Sequence, residues 1–182
     1  MLLVSGSLRR ASTNTAVLRT VAGLAVAPEL AAAVLYDGLA ALPHFNLDDE
    51  VDPLPVAVRD LRRAIRDADA LLFSTPEYAG ALPGSFKNLL DWTIGDDHPR
   101  SLYRKPVAWI NASPRGAALA HDSLRAVLAY AHAEMVEQAC VHVPVTSAMV
   151  GDDGLIDDPS VRDRLAAALG ALVGGVATGP GG

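Results

Sequence analysis

Three short stretches of this chain combine residue types that could do chemistry. The first is Gly-Ser-Leu-Arg-Arg-Ala-Ser-Thr-Asn at positions 6–14. A helical apolar pattern follows it, so the free N–H groups and positive dipole end of a helix start would favour an anion there. Hydroxyls of Ser7, Ser12 and Thr13 and the amide of Asn14 add donors, and Arg9 can supply a counter-charge. The stretch lacks the Gly-Lys-Ser/Thr ending of a nucleoside-triphosphate loop and the spaced glycines of a dinucleotide loop, which leaves a phosphate monoester as the better fit. The alternative is purely local: Ser12 or Asn14 caps the helix and both arginines sit in solvent.

The second stretch runs Thr-Pro-Glu-Tyr-Ala-Gly-Ala-Leu-Pro-Gly at positions 75–84. Its two prolines and two glycines fix an unusual path and let backbone approach a flat ligand, with Tyr78 available to pack beside a ring. An ordinary surface turn is the competing reading. The third, Asn-Ala-Ser-Pro-Arg-Gly at positions 111–116, permits close approach at Ser113 and Gly116 and offers Arg115 to stabilise negative charge. An exposed loop arginine is equally at home in water.

The elements around these stretches follow from periodicity. Apolar runs at 1–4, 31–36, 70–74, 106–111 and 140–145 read as five short strands. Helical spacing appears from Asn14 through Leu24, at Leu54, Val58, Leu61 and Ile65, at 85–94, from Leu124 through Met135, and at Val161, Leu165, Leu169 and Leu172. Strands alternating with helices require parallel pairing by right-handed crossovers, which gives a doubly wound α/β domain: a five-stranded parallel sheet with helices on both faces. Ligands bind such sheets beyond the carboxyl ends of the strands, where all three stretches fall.

Composition narrows the function. The 182 residues suit one domain of roughly 150 residues, expected over 1–174, with 175–182 a flexible glycine-rich tail. With 51% hydrophobic residues there is enough apolar material for a core, and the net charge of −6 argues against nucleic-acid binding. One cysteine, Cys140, closes no intrachain disulfide, and no Cys/His cluster has metal-ligand spacing. No secretory signal or membrane span is read, so a cytoplasmic location is expected. Ser113, His121 and Asp122 lack the spacing of a hydrolytic triad, and the histidines read as surface or structural residues.

Together the motifs at 6–14 and 75–92 resemble the NADPH-dependent FMN reductase family, flavodoxin-like enzymes that include quinone, chromate and azo-dye reductases. The resemblance covers nearly the whole chain. It implies that Ser7, Arg9, Ser12 and Asn14 hold the FMN phosphate, that Pro76, Glu77, Tyr78, Ala79 and Gly80 cradle the isoalloxazine, and that Ser113 and Gly116 line its other edge. It further implies hydride transfer from NADPH or NADH to the flavin and on to a quinone, free flavin or similar small acceptor, with no obligatory catalytic side chain. A homodimer or homotetramer is implied too, with the helix carrying Lys87, Asn88, Asp91 and Trp92 near the subunit interface. Two departures stand out: Ala79 occupies the place where the family commonly has Asn, and Pro114 and Arg115 make the third loop bulkier. A non-catalytic flavodoxin-type electron carrier is the alternative, with a receiver domain and a hydrolase of phosphorylated substrates as more distant ones.

Overall fold

Three runs of branched and aromatic residues build the centre of the sheet: β1 (Leu2–Ser5), β3 (Leu71–Ser74) and β4 (Pro106–Asn111). The computed structural model describes residues 1–25 and 33–178. Two shorter pieces, β2 (Val34–Leu35) and β5 (Glu134–Met135), complete the order β2-β1-β3-β4-β5, and β6 (Val141–His142) also pairs with β4. Every pairing is parallel, with Leu2 beside both Val34 and Leu71, and Val107 beside Met135.

Alternation along the strands sorts the core into two layers. Leu2, Val4, Leu71, Phe73, Val107 and Trp109 face α2 (Val56–Asp67), α3 (Gly84–Ile94) and α4 (Ala118–Tyr130). Leu3, Leu72, Ala108 and Ile110 face α1 (Thr13–Leu24) and α5 (Pro159–Thr178). The sheet is thus covered on both sides, which is why its central strands are apolar at nearly every position. This is the flavodoxin-like α/β architecture.

Three elements differ from the sequence reading. The second strand is confined to Val34–Leu35, and residues 31–32 of the expected run lie outside the described residues. The fourth helix stops at Tyr130 instead of continuing to Met135, because His132 takes a left-handed φ of 54° and the Glu134 N–H joins Lys105 O of the sheet at 2.9 Å. Of the expected fifth strand at 140–145 only Val141–His142 is strand, and a further piece at Glu134–Met135 pairs with the same edge of β4, the two separated by a helical turn at Glu137–Ala139. At the other end, α5 remains helical to Thr178, beyond the expected start of the tail, and 179–182 lie outside the described residues.

The long connection between β2 and α2 is a strap clamped to α3. Asn88 accepts from the Phe45 N–H (2.7 Å) and donates to Pro43 O (2.8 Å), and Trp92 Nε1 donates to the same carbonyl (2.9 Å). Phe45 stands edge-on to Trp92, with centroids 5.0 Å apart. Farther along, Glu50 pairs with the buried Arg62, whose Nε donates to Trp92 O at 2.9 Å. Gly95 leaves the space that the Glu50 carboxylate occupies. Trp92 is therefore wholly inside its own chain, and on this helix only Lys87 and Asp91, paired one turn apart, offer charge to a neighbour.

Candidate functional site

The chain leaves β1 for β2 on one side, while β3 lies on the other, so the strand order reverses between β1 and β3. Their carboxyl ends frame the crevice where open α/β sheets bind ligands. All three stretches singled out in the sequence border it.

The first loop is seated on the second. Gly6 N–H donates to Ser74 O at 2.8 Å, and a Cβ on Gly6 would come within 2.7 Å of Thr75 Cβ, so only glycine allows this approach. Asn14 is buried at the base of the loop, with its Oδ1 2.9 Å from Ser74 Oγ, and the same hydroxyl lies 2.8 Å from Ile110 O. One side-chain chain thereby links the first loop through β3 to β4. Ser12 is the N-cap of α1, accepting from the Thr15 N–H, and Ser7 Oγ accepts from the Arg9 N–H at 3.3 Å. Both hydroxyls keep their own hydrogens to give.

What this leaves open is an array of donors. The N–H groups of Leu8, Arg10, Ala11, Thr13 and Asn14 have no hydrogen-bond acceptor among the described residues. Arg9 and Arg10 are exposed, and neither is in a salt bridge among those residues. Amide donors, a helix dipole and unpaired guanidinium groups fit a phosphate dianion. Capping and anion binding, alternatives in the sequence, are compatible here: Ser12 caps with its oxygen, and the loop's main-chain donors find no acceptor among the described residues.

The second loop makes a two-residue turn. Tyr78 and Ala81 exchange N–H···O bonds of 3.0 and 3.1 Å, with Ala79 at φ 51° and Gly80 at φ 73° between them. Two successive left-handed residues define a type I′ turn, which projects the turn backbone outward. Tyr78 is about half exposed, at 47%, as a residue available to a flat ligand should be. Glu77 turns away from the tip, and its Oε2 accepts from the Ala120 N–H at 3.1 Å. It caps α4, whose own N-cap residue, Ala117, has no side chain to do so.

The third loop is held by its flanks. Asn111 Oδ1 accepts from the Ser113 N–H at 3.0 Å and its amide donates to Gly116 O; His142 Nε2 meets Ser113 O at 2.7 Å. Gly116 (φ 93°) and Ala117 (φ 46°) are both left-handed, turning the chain into α4. Arg115 points to solvent. Of these supports, Ser74 and His142 carry no signal in the sequence, since each depends on a partner brought close only by folding, whereas Asn111 bonds within its own loop.

Burial shifts two further groups, the buried His121 and the half-buried Cys140. His121 Nδ1 lies 2.8 Å from Ala117 O, which requires the hydrogen on Nδ1, and burial keeps its pKa below the usual imidazole value. Burial likewise pushes the Cys140 thiol up to about 11, so it is protonated and unreactive near neutrality.

A doubly wound sheet with a phosphate-fitting loop after β1 and a backbone cradle after β3 defines a flavodoxin-like flavoprotein. The chain belongs to the NADPH-dependent FMN reductase family, whose model matches residues 1–147. It is 33% identical over 172 residues to an NAD(P)H-dependent FMN reductase of Pseudomonas aeruginosa, covering 93% of this chain and 90% of that one. A 2-hydroxy-1,4-benzoquinone reductase of a Burkholderia species is also 33% identical, across 90% and 88% of the two chains. Among solved structures, FerB, a flavoenzyme NAD(P)H:(acceptor) oxidoreductase from Paracoccus denitrificans, superposes with a TM-score of 0.79 at 29% identity, covering 98% and 97%. The chain is an FMN-dependent NAD(P)H oxidoreductase, and the electron-carrier alternative is not favoured.

Proposed function

We propose that this enzyme passes reducing equivalents from NAD(P)H to a small quinone, and that it works as a homodimer or homotetramer in the cytoplasm. The observation that carries the reading is the donor array of the first loop, seated through Gly6 and Ser74 on the segment that leads into the Tyr78–Ala81 turn. The chemistry that bound FMN would supply is two-electron transfer between the nicotinamide hydride and the acceptor.

The chain's own part is to bind and orient. Arg9 and the hydroxyl hydrogens of Ser7 and Ser12 hold the phosphate, together with the main-chain N–H of Asn14. The Asn14 side chain is already engaged with Ser74, so it supports the loop from below. Residues 76–80 set the ring against backbone, Tyr78 packs beside it, and Ser113 and Gly116 bound its far edge. Ala79 offers no side-chain polar group at the turn tip, which leaves room there for an aromatic acceptor.

The relatives named for quinone reduction support the acceptor class. Support for a second copy comes from a groove between α3 and α4 lined by Phe45, Ile94, Val127 and Tyr130, where Tyr130 is 74% exposed. Among the described residues no helix is long and apolar enough to cross a membrane. The test is NADPH oxidation with a benzoquinone acceptor, with and without added FMN. FMN-dependent turnover is expected; equal rates without protein would overturn the reading.

A further inference from the structure

His121 is the fourth residue of α4, 7% exposed, with its ring tilted against Trp109 at a centroid distance of 6.1 Å. Trp109 carries the Arg125 guanidinium 4.9 Å from its ring centroid. The two ring nitrogens of His121 have unequal fates. Nδ1 donates to Ala117 O at 2.8 Å, while Nε2 is buried and has no partner among the described residues. A leucine would fill similar space without leaving a buried nitrogen unpaired, so packing gives no reason for an imidazole here. The bond at Nδ1 does. Ala117 sits at φ 46°, a conformation disfavoured for a residue with a Cβ, where the third loop turns into the helix.

We propose that His121 is a positioning residue of the flavin site: its Nδ1–H holds Ala117 in the left-handed conformation and thereby fixes Ser113 and Gly116 at the edge of the crevice. The proposal rests on the functional reading above, because it gives the third loop a role against the ring. Glu77 works on the same junction from the other side, through Ala120. The groups acting on the imidazole are Glu77 from the second loop, Asp122 on its own helix and His142 from β6; burial dominates and keeps it neutral.

The bond, not the volume, is the claim, and two variants separate them. His121→Asn can place an amide N–H near the position of Nδ1; His121→Leu loses this side-chain donor and keeps only the main-chain N–H, 3.3 Å from the same oxygen. Amide hydrogen exchange on the protein without cofactor reads the loop directly, and FMN titration reads the site. In His121→Leu, exchange across 113–120 should rise roughly tenfold while the amides of α2 keep their protection. The FMN dissociation constant should rise about tenfold, and Asn should recover both quantities to within about threefold of the native protein. Unchanged exchange in the Leu variant would overturn the proposal, as would faster exchange with unchanged FMN affinity. Equal loss in Asn and Leu would also overturn it, since volume alone would then explain the effect. A native protein that binds no FMN would instead overturn the functional reading, and with it this proposal.

Discussion

Glu77 Oε2 accepts a hydrogen bond from the Ala120 N–H at 3.1 Å, joining residues 43 positions apart. Through it, the loop after β3 supplies the cap that α4 lacks in its own sequence. Two of the three walls of the candidate site are therefore one mechanical unit. A carboxylate at a helix N-terminus is favoured both as an acceptor and by the dipole.

Removing that acceptor should cost about 1 kcal/mol, the usual loss for a helix cap. Glu77→Ala should show this in urea unfolding, and Glu77→Gln, which keeps the acceptor without the charge, should lose less. An Ala variant as stable as the native protein would mean that the bond contributes nothing in water.

Ala79 is the first central residue of a type I′ turn, where its φ of 51° is unfavourable for alanine and natural for asparagine or glycine. Ala79→Asn and Ala79→Gly should each stabilise the protein by roughly 0.5–1 kcal/mol, and Ala79→Val should destabilise it. Thermal midpoints of the three variants check the order. A Val variant more stable than Asn would contradict the turn assignment.

Among the described residues, Arg9 has no ion-pair partner and the neighbouring amides of the first loop have no acceptor. Arg9→Ala should weaken FMN binding by tenfold or more, about what a charge-assisted hydrogen bond contributes. Riboflavin, which has no phosphate, should bind both proteins equally. Equal loss for the two ligands in parallel titrations would remove the phosphate assignment.

Burial lowers the His121 pKa in the folded state, while the unfolded chain titrates near 6.5. Below about pH 6.5 the unfolded state binds the extra proton, so the stability tied to this group is intact above that pH and lost as pH falls towards the folded-state value. Urea midpoints at about pH 7.5 and 5.5 should therefore drop more in the native protein than in His121→Asn. An equal drop in both would assign the acid sensitivity elsewhere.

Much of the fold is legible in the sequence because β1, β3 and β4 are buried on both faces and read as unbroken apolar runs. The fourth helix and fifth strand are less so. Apolar spacing continues past Tyr130 to Met135 as if the helix did, but a left-handed His132 and a sheet bond at Glu134 end it, and spacing carries no information about either. The loops announce themselves by residue type. Their internal work does not, since Asn14 meets Ser74 across 60 positions, and a caps-or-binds choice at Ser12 dissolves once side-chain oxygen and main-chain N–H are seen to serve different partners.

Hydride transfer at a flavin held by this site is the central claim, and anaerobic mixing of the FMN-reconstituted protein with NADPH tests it directly. The oxidised-flavin absorbance should bleach much faster than that of free FMN under the same conditions. Bound FMN that bleaches no faster than free FMN, with NADPH and with NADH alike, would contradict the claim.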